Sequence, residues 1–147
     1  MGCGLHAALC LGYSGVNLHG GGDGYYTPIA VGPNLSTELR SLYFGMQFAD
    51  QFAGAELLES TLDTSENVRS YYAQRGHQTM LGLINKGAGS ITVKLPAELA
   101  KHRASAERRL RAPSLAAHTG IRFEEVPPGA KGAVEVPPYT AVLLTWQ

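Results

Sequence analysis

A chain of 147 residues is enough for one ordinary domain and too short for a complete eight-fold βα barrel, which needs about 250 residues. It is 44% hydrophobic and 16% charged and has no apolar run approaching the ~20 residues that carry a helix across a bilayer, so helical membrane-spanning and disordered classes fall away. Twelve Lys and Arg balance twelve Asp and Glu, which leaves no global pull toward nucleic acid or membrane; any partner is recognised locally.

The first eleven residues lack a basic n-region and are broken by Gly2 and Gly4, so no secretion signal is expected, and no compartment is assigned. Residues 5–11 read as the end of a helix closed by Gly12. Cys3 and Cys10 match no zinc or redox spacing; on a helix they would stand about 10 Å apart along the axis, so they read as small buried hydrophobes rather than a disulfide. Residues 13–18 then read as a strand, with Val16 and Leu18 on one face and Tyr13, Gly15 and Asn17 on the other. His19 opens a glycine-rich loop over 19–28. Asn34 or Ser36 is placed to cap the next helix, where Leu39, Leu42, Tyr43, Met46 and Ala49 recur at three- and four-residue spacing, and Gly54 supplies the stop.

Helix, strand, long loop and helix in this order describe one βα unit with a preceding helix attached. A parallel-type strand with no neighbour in its own segment belongs to a larger sheet, so an upstream barrel segment is the expected partner of this part.

The sequence changes character near residue 55. Up to that point Arg40 stands alone against Asp23, Glu38 and Asp50, so the first part is net acidic and the remainder correspondingly basic. Beyond it, short strands are expected near 57–62, 68–75, 79–85, 90–95, 107–112, 121–126 and 140–146, with turns at 85–87, Gly120, 127–129 and 137–138. Many strands with little helix favour a small antiparallel sandwich. In the last strand Ala141, Leu143 and Thr145 alternate with Val142, Leu144 and Trp146. Both faces are mostly apolar, which predicts an interior strand.

The richest chemistry lies in the 19–28 loop, His19-Gly20-Gly21-Gly22-Asp23-Gly24-Tyr25-Tyr26-Thr27-Pro28. Its glycines let backbone amides converge on an anion such as a carboxylate or phosphate. It is neither a P-loop nor the dinucleotide fingerprint, since no Gly-Lys-Ser/Thr follows and the third glycine is missing. Tyr25 and Tyr26 add a hydroxyl donor and a ring for a sugar. The same pattern also suits a mobile surface loop, but its position after the C-terminal end of a strand is where barrels and open α/β folds place ligands.

The stretch from Ser14 to Gly21, the run Tyr25-Tyr26-Thr27-Pro28-Ile29 and the helix at 41–46 resemble the last βα unit of glycoside hydrolase family 79, the β-glucuronidase and heparanase-like enzymes. The segments 110–115 and 136–146 resemble that family's C-terminal β-domain. The resemblance implies an α+β fragment: the terminal βα unit of a (β/α)8 barrel over 1–55, followed by an antiparallel β-sandwich over 56–147. It also implies a retaining glycosidase whose two glutamates lie about 5 Å apart on earlier barrel strands.

None of Glu38, Glu56, Glu59, Glu66, Glu98, Glu107, Glu124, Glu125 and Glu135 stands in a barrel-strand context, so each is expected to be a solvated surface charge and no catalytic residue is assigned. The resemblance carries over recognition of a uronic acid carboxylate, and hence a glucuronide-type carbohydrate partner, by the Gly24 amide and the Tyr25 hydroxyl. Tyr26 is the alternative to Tyr25. The chain alone is expected to be inactive. The other reading is a non-catalytic β-sandwich module that binds carbohydrate or protein.

The remaining candidates are weaker. His19 could line a sugar pocket or be a structural residue at a strand end. His6, His77, His102 and His118 show no ligand spacing, so neither metal nor cofactor is expected. Lys101, Arg103, Arg108, Arg109 and Arg111 form a basic cluster that would either touch an acidic polysaccharide or mark a solvated sheet edge. Trp146 and Tyr139 are read as packing residues rather than sugar platforms.

Overall fold

The computed structural model describes residues 27–147. The expected helix at 5–11, the strand at 13–18, both cysteines, and the site residues His19, Gly24, Tyr25 and Tyr26 lie outside the described residues.

The described chain opens with β1 (Ile29–Val31), a 3₁₀ turn (Pro33–Leu35) and β2 (Thr37–Leu39), an antiparallel hairpin pairing Ile29 with Leu39. Helix α1 (Ser41–Asp50) follows, then β3 (Glu56–Leu58), β4 (Val68–Arg75), β5 (Gln78–Asn85) and β6 (Ile91–Lys94). The short helix α2 (Ala97–Ala100) leads to β7 (Ala106–Arg111), β8 (Arg122–Val126), β9 (Ala133–Val136) and β10 (Thr140–Trp146). Six strands form one antiparallel sheet in the order β3-β4-β5-β10-β7-β8, and β6 pairs with β9 in a separate two-stranded sheet.

Strand β10 organises the molecule. It lies between β5 and β7, so Thr140 to Thr145 are paired on both sides and Trp146 with β5. Its two apolar faces each meet a different layer. Val142, Leu144 and Trp146 join Leu81 and Leu83 of β5 in a core completed by Val93 of β6, Val134 and Val136 of β9, and Leu99 of α2. Ala141 and Leu143 join Ala73, Met80, and Phe48 and Phe52 from α1 and the turn after it. The six-stranded sheet is therefore covered by two strands on one face and by a helix on the other. Full burial of a residue such as Leu83 or Val142 contributes ~1.5–3 kcal/mol.

Glycine matters at two places. Gly76 has φ +57 at the first position of the two-residue connection between Arg75 and Gln78, where a left-handed residue suits the twist of a tight hairpin. Gly82 leaves room for the ring of Phe52, and a Cβ built there would lie 2.8 Å from Phe52 Cζ.

Several expectations need correction. The helix begins at Ser41, not after Asn34 or Ser36. Asn34 takes a left-handed conformation inside the 3₁₀ turn, Ser36 Oγ donates to Pro33 O, and Arg40 occupies the N-cap position without a side-chain capping bond to the helix. Leu39 lies in β2. The inward face of α1 carries Gly45 and Phe48 and continues to Phe52, whereas Met46 is exposed. Because 41–49 is apolar almost all round, periodicity alone could not choose that face. The helix ends at Asp50, and Gly54, at φ +71, follows after a further turn. The strand expected at 57–62 stops at Leu58, and β9 lies between the turns expected at 127–129 and 137–138, where no strand is expected.

Candidate functional site

At the described end of the 19–28 loop, Thr27 is buried and its Oγ1 donates to Ile29 O at 2.8 Å. Pro28 O accepts from Arg40 N at 2.9 Å, so the chain leaving this loop is clamped to the chain entering α1. The hairpin between these points has apolar residues facing outward: Ile29, Val31, Leu35 and Leu39 are 41%, 51%, 84% and 43% exposed. A strand pair this short contributes little apolar burial of its own, and contiguous exposed apolar surface of this kind marks interaction sites.

The glutamates are not uniformly solvated. Glu107 is 1% exposed, which overturns its reading as a surface charge. Its Oε1 accepts from Arg109 Nε at 2.7 Å, and its Oε2 from the Gly129 amide at 3.2 Å. Residues 107 and 109 are two apart on β7, so both lie on one face of the strand, and the arginine compensates the buried carboxylate. Half-buried Glu124 is held by Arg122 and Arg111. Exposed Glu135 accepts from Ser90 Oγ, and Glu38, Glu56, Glu59, Glu66 and Glu98 are exposed. Among the described residues, the buried and half-buried glutamates are committed to arginines or a backbone amide, which leaves neither of them as a free acid or nucleophile.

Most of the basic cluster is likewise paired. Strand β7 is not an edge: it pairs with β10 on one side and β8 on the other. Arg108 stacks over Phe123 at 4.7 Å and donates to Gln51 Oε1. Its Nε stands 2.8 Å from Glu125 Oε1, an ion pair not aligned as a hydrogen bond. Arg109 and Arg111 pair with Glu107 and Glu124, while Arg103 donates to Pro128 O. Lys101 is exposed. Three of its five cations are thus paired with carboxylates, which lowers the positive charge this strand presents.

Trp146 is 7% exposed and its Nε1 donates to His102 O at 3.3 Å, so it packs in the core and is not a sugar platform. Tyr139 is half-buried with φ 50. It sits in a turn held by Asn85, whose Nδ2 donates to Gly89 O, Val136 O and Pro137 O while its Oδ1 accepts from the Gly87 amide. Beside this turn a cavity of about 140 Å³ separates α1 from the sheet end, lined by Gly45, Phe48, Ile84 and Leu110 among others. Sequence reasoning noted Asn85 only as a turn residue. Its four bonds depend on loops roughly fifty residues apart. Among the described residues no group of three His, Cys, Asp or Glu side chains is placed to hold a metal ion.

No family model matches the sequence, and no curated protein matches it either. Solved structures do share its fold. The thermostable family 51 α-L-arabinofuranosidase from Thermotoga petrophila RKU-1 superposes with a TM-score of 0.67 at 10% identity over 83% of this chain and 32% of its own. The catalytic domain of the family 30 xylanase C from Talaromyces cellulolyticus gives 0.66 at 12% identity over 88% and 29%. An arabinose-bound family 51 α-L-arabinofuranosidase gives 0.63 at 15% identity over 81% and 21%. The chain thus has a glycoside hydrolase-like fold and spans between about a fifth and a third of the length of these proteins.

Proposed function

We propose that this chain is the C-terminal segment of a retaining, family 79-like β-glucuronidase, with a terminal barrel βα unit over 1–55 and an accessory β-sandwich over 56–147. The observation that carries this reading is the match of most of the chain to a minor fraction of much longer glycoside hydrolases. The resemblance of 14–29 and 136–146 to family 79 supplies the finer assignment.

In this reading the segment contributes a uronate grip and no catalytic acid. The Gly24 amide and the Tyr25 or Tyr26 hydroxyl donate to the substrate carboxylate, each charge-assisted bond contributing ~1.5–3 kcal/mol. Bond cleavage requires two carboxylates at fixed separation, and these come from the upstream barrel segment. The chain alone therefore does not turn over a glucuronide.

The test is to co-express the segment with an upstream barrel portion carrying both glutamates and assay an aryl glucuronide. Activity should depend on both pieces and fall about tenfold or more in Tyr25→Phe or Tyr26→Phe, as expected for loss of one charge-assisted bond. Unchanged turnover in both tyrosine variants refutes the uronate grip. Turnover by the 147-residue chain alone refutes the division of labour.

A further inference from the structure

The sandwich is unequal, six strands facing two, and the small β6–β9 sheet lies over the middle of the large one. Through β9 it packs on β5 and β10, and on β4 the half-buried Tyr72 stands at the margin of the core they share. The chain after β3 runs past this margin, and between it and the β6–α2 connection lies an open groove of about 470 Å³. This is within the ~300–1,000 Å³ of small-molecule sites.

The groove has an apolar floor and a polar rim. Half-buried Leu62 and Leu95 offer apolar surface to it, over core residues such as Leu81 and Val93 that are no more than 9% exposed. Tyr72, opposite Leu81 in the β4–β5 ladder, supplies the aromatic side. Ser60 and Ser70 hydroxyls stand 3.4 Å apart at one edge. Glu59, Glu98 and Lys94, all exposed, complete the rim.

We infer that this groove binds a neutral oligosaccharide. A sugar ring presents a C–H face that suits the Leu and Tyr72 surface, and a hydroxyl periphery that suits the rim. Two carboxylates against one ammonium supply more acceptors than cationic donors, which favours a ligand rich in O–H groups and disfavours an anionic one. A wholly apolar ligand would cover the rim charges without replacing their water. The residues named for the groove are different from those of the proposed uronate grip, so variants of the one test it separately from the other.

The experiment uses the 147-residue chain, titrated with xylotetraose, cellotetraose and tetragalacturonate by calorimetry and by NMR shifts of β4 and β6 amides. At least one neutral saccharide should bind with shifts centred on Tyr72 and Val93, at least ~10-fold more tightly than the anionic one. Tyr72→Ala should weaken it by about tenfold or more. Because Tyr72 also packs on the core, Ser60→Trp, an exposed rim change that fills the groove, should abolish binding with the melting temperature kept. No binding of either neutral saccharide at ~10 mM, preference for the galacturonate, or unchanged affinity in Ser60→Trp overturns the inference.

Discussion

Phe52 occupies the space that a side chain at Gly82 would need, with Phe52 Cζ 2.8 Å from the position of a Cβ there. The ring is buried beside Phe48, at 6.1 Å between centroids, so it has little freedom to give way. Gly82→Ala should destabilise the chain by ~1–3 kcal/mol despite the entropic gain of removing a glycine. Urea denaturation measures this, and the penalty should shrink in a Phe52→Leu background. Equal penalties in both backgrounds would mean that the ring is not the obstacle.

Asn85 ties the β5 end to the loop before β6 and to the turn before β10 through one amide group. Asn85→Ala leaves a buried carbonyl of Val136 without that donor and should cost roughly 1–3 kcal/mol. Asn85→Asp should cost more at neutral pH, because a carboxylate would face three carbonyl oxygens. That excess should diminish on acidification, as the introduced carboxyl gains a proton to donate. Denaturation curves at two pH values check both signs.

Glu107 and Arg109 form a pair in which the carboxylate is buried and the guanidinium keeps 21% of its side-chain surface in solvent. Glu107→Ala should fall toward the lower end of the ~3–5 kcal/mol typical of breaking a buried pair, since Arg109 can rehydrate. The double change Glu107→Leu with Arg109→Met should recover most of the loss. A thermal double-mutant cycle reads the coupling. By contrast, Arg108→Ala, which removes a pair with 69% exposed Glu125, should mainly lose the Phe123 stacking.

Leu35 combines a left-handed backbone, φ 59, with 84% exposure. Leu35→Asn should relieve that conformation and stabilise the chain by roughly 1 kcal/mol, because asparagine tolerates this region and no burial is lost.

The same surface leads to an expectation for the free chain. Ile29, Val31, Leu35 and Leu39, with Met46 on α1, should make it bind a hydrophobic dye or self-associate. Replacing Val31 and Leu35 by Ser should reduce both effects without loss of melting temperature. Monomeric behaviour without dye binding in the unmodified chain would count against an interaction surface here.

Residue patterns along the chain were sufficient for the antiparallel character beyond residue 55, most strands beyond residue 67, and the two-faced interior position of β10. Period-two alternation is local information, and seven consecutive residues of β10 carry it whatever they pack against. The helix at 41–50 was legible as a helix but not in its orientation, because its apolar residues surround the axis. The candidate site was legible only as a loop composition at 19–28, and its residues up to 26 lie outside the described structure. The hairpin at 29–39 and strand β9 escaped notice because three- and four-residue strands hold too few alternations to stand out from turns.

Only the tertiary structure decided which charges are inside and which surfaces remain open. Glu107 resembles the other glutamates in sequence, and its burial depends on the 127–130 loop and β10 closing around it. The groove beside Tyr72 exists because a two-stranded layer is too narrow to roof a six-stranded one. Such facts depend on segments distant in the chain being brought together, and no local run of residues encodes them.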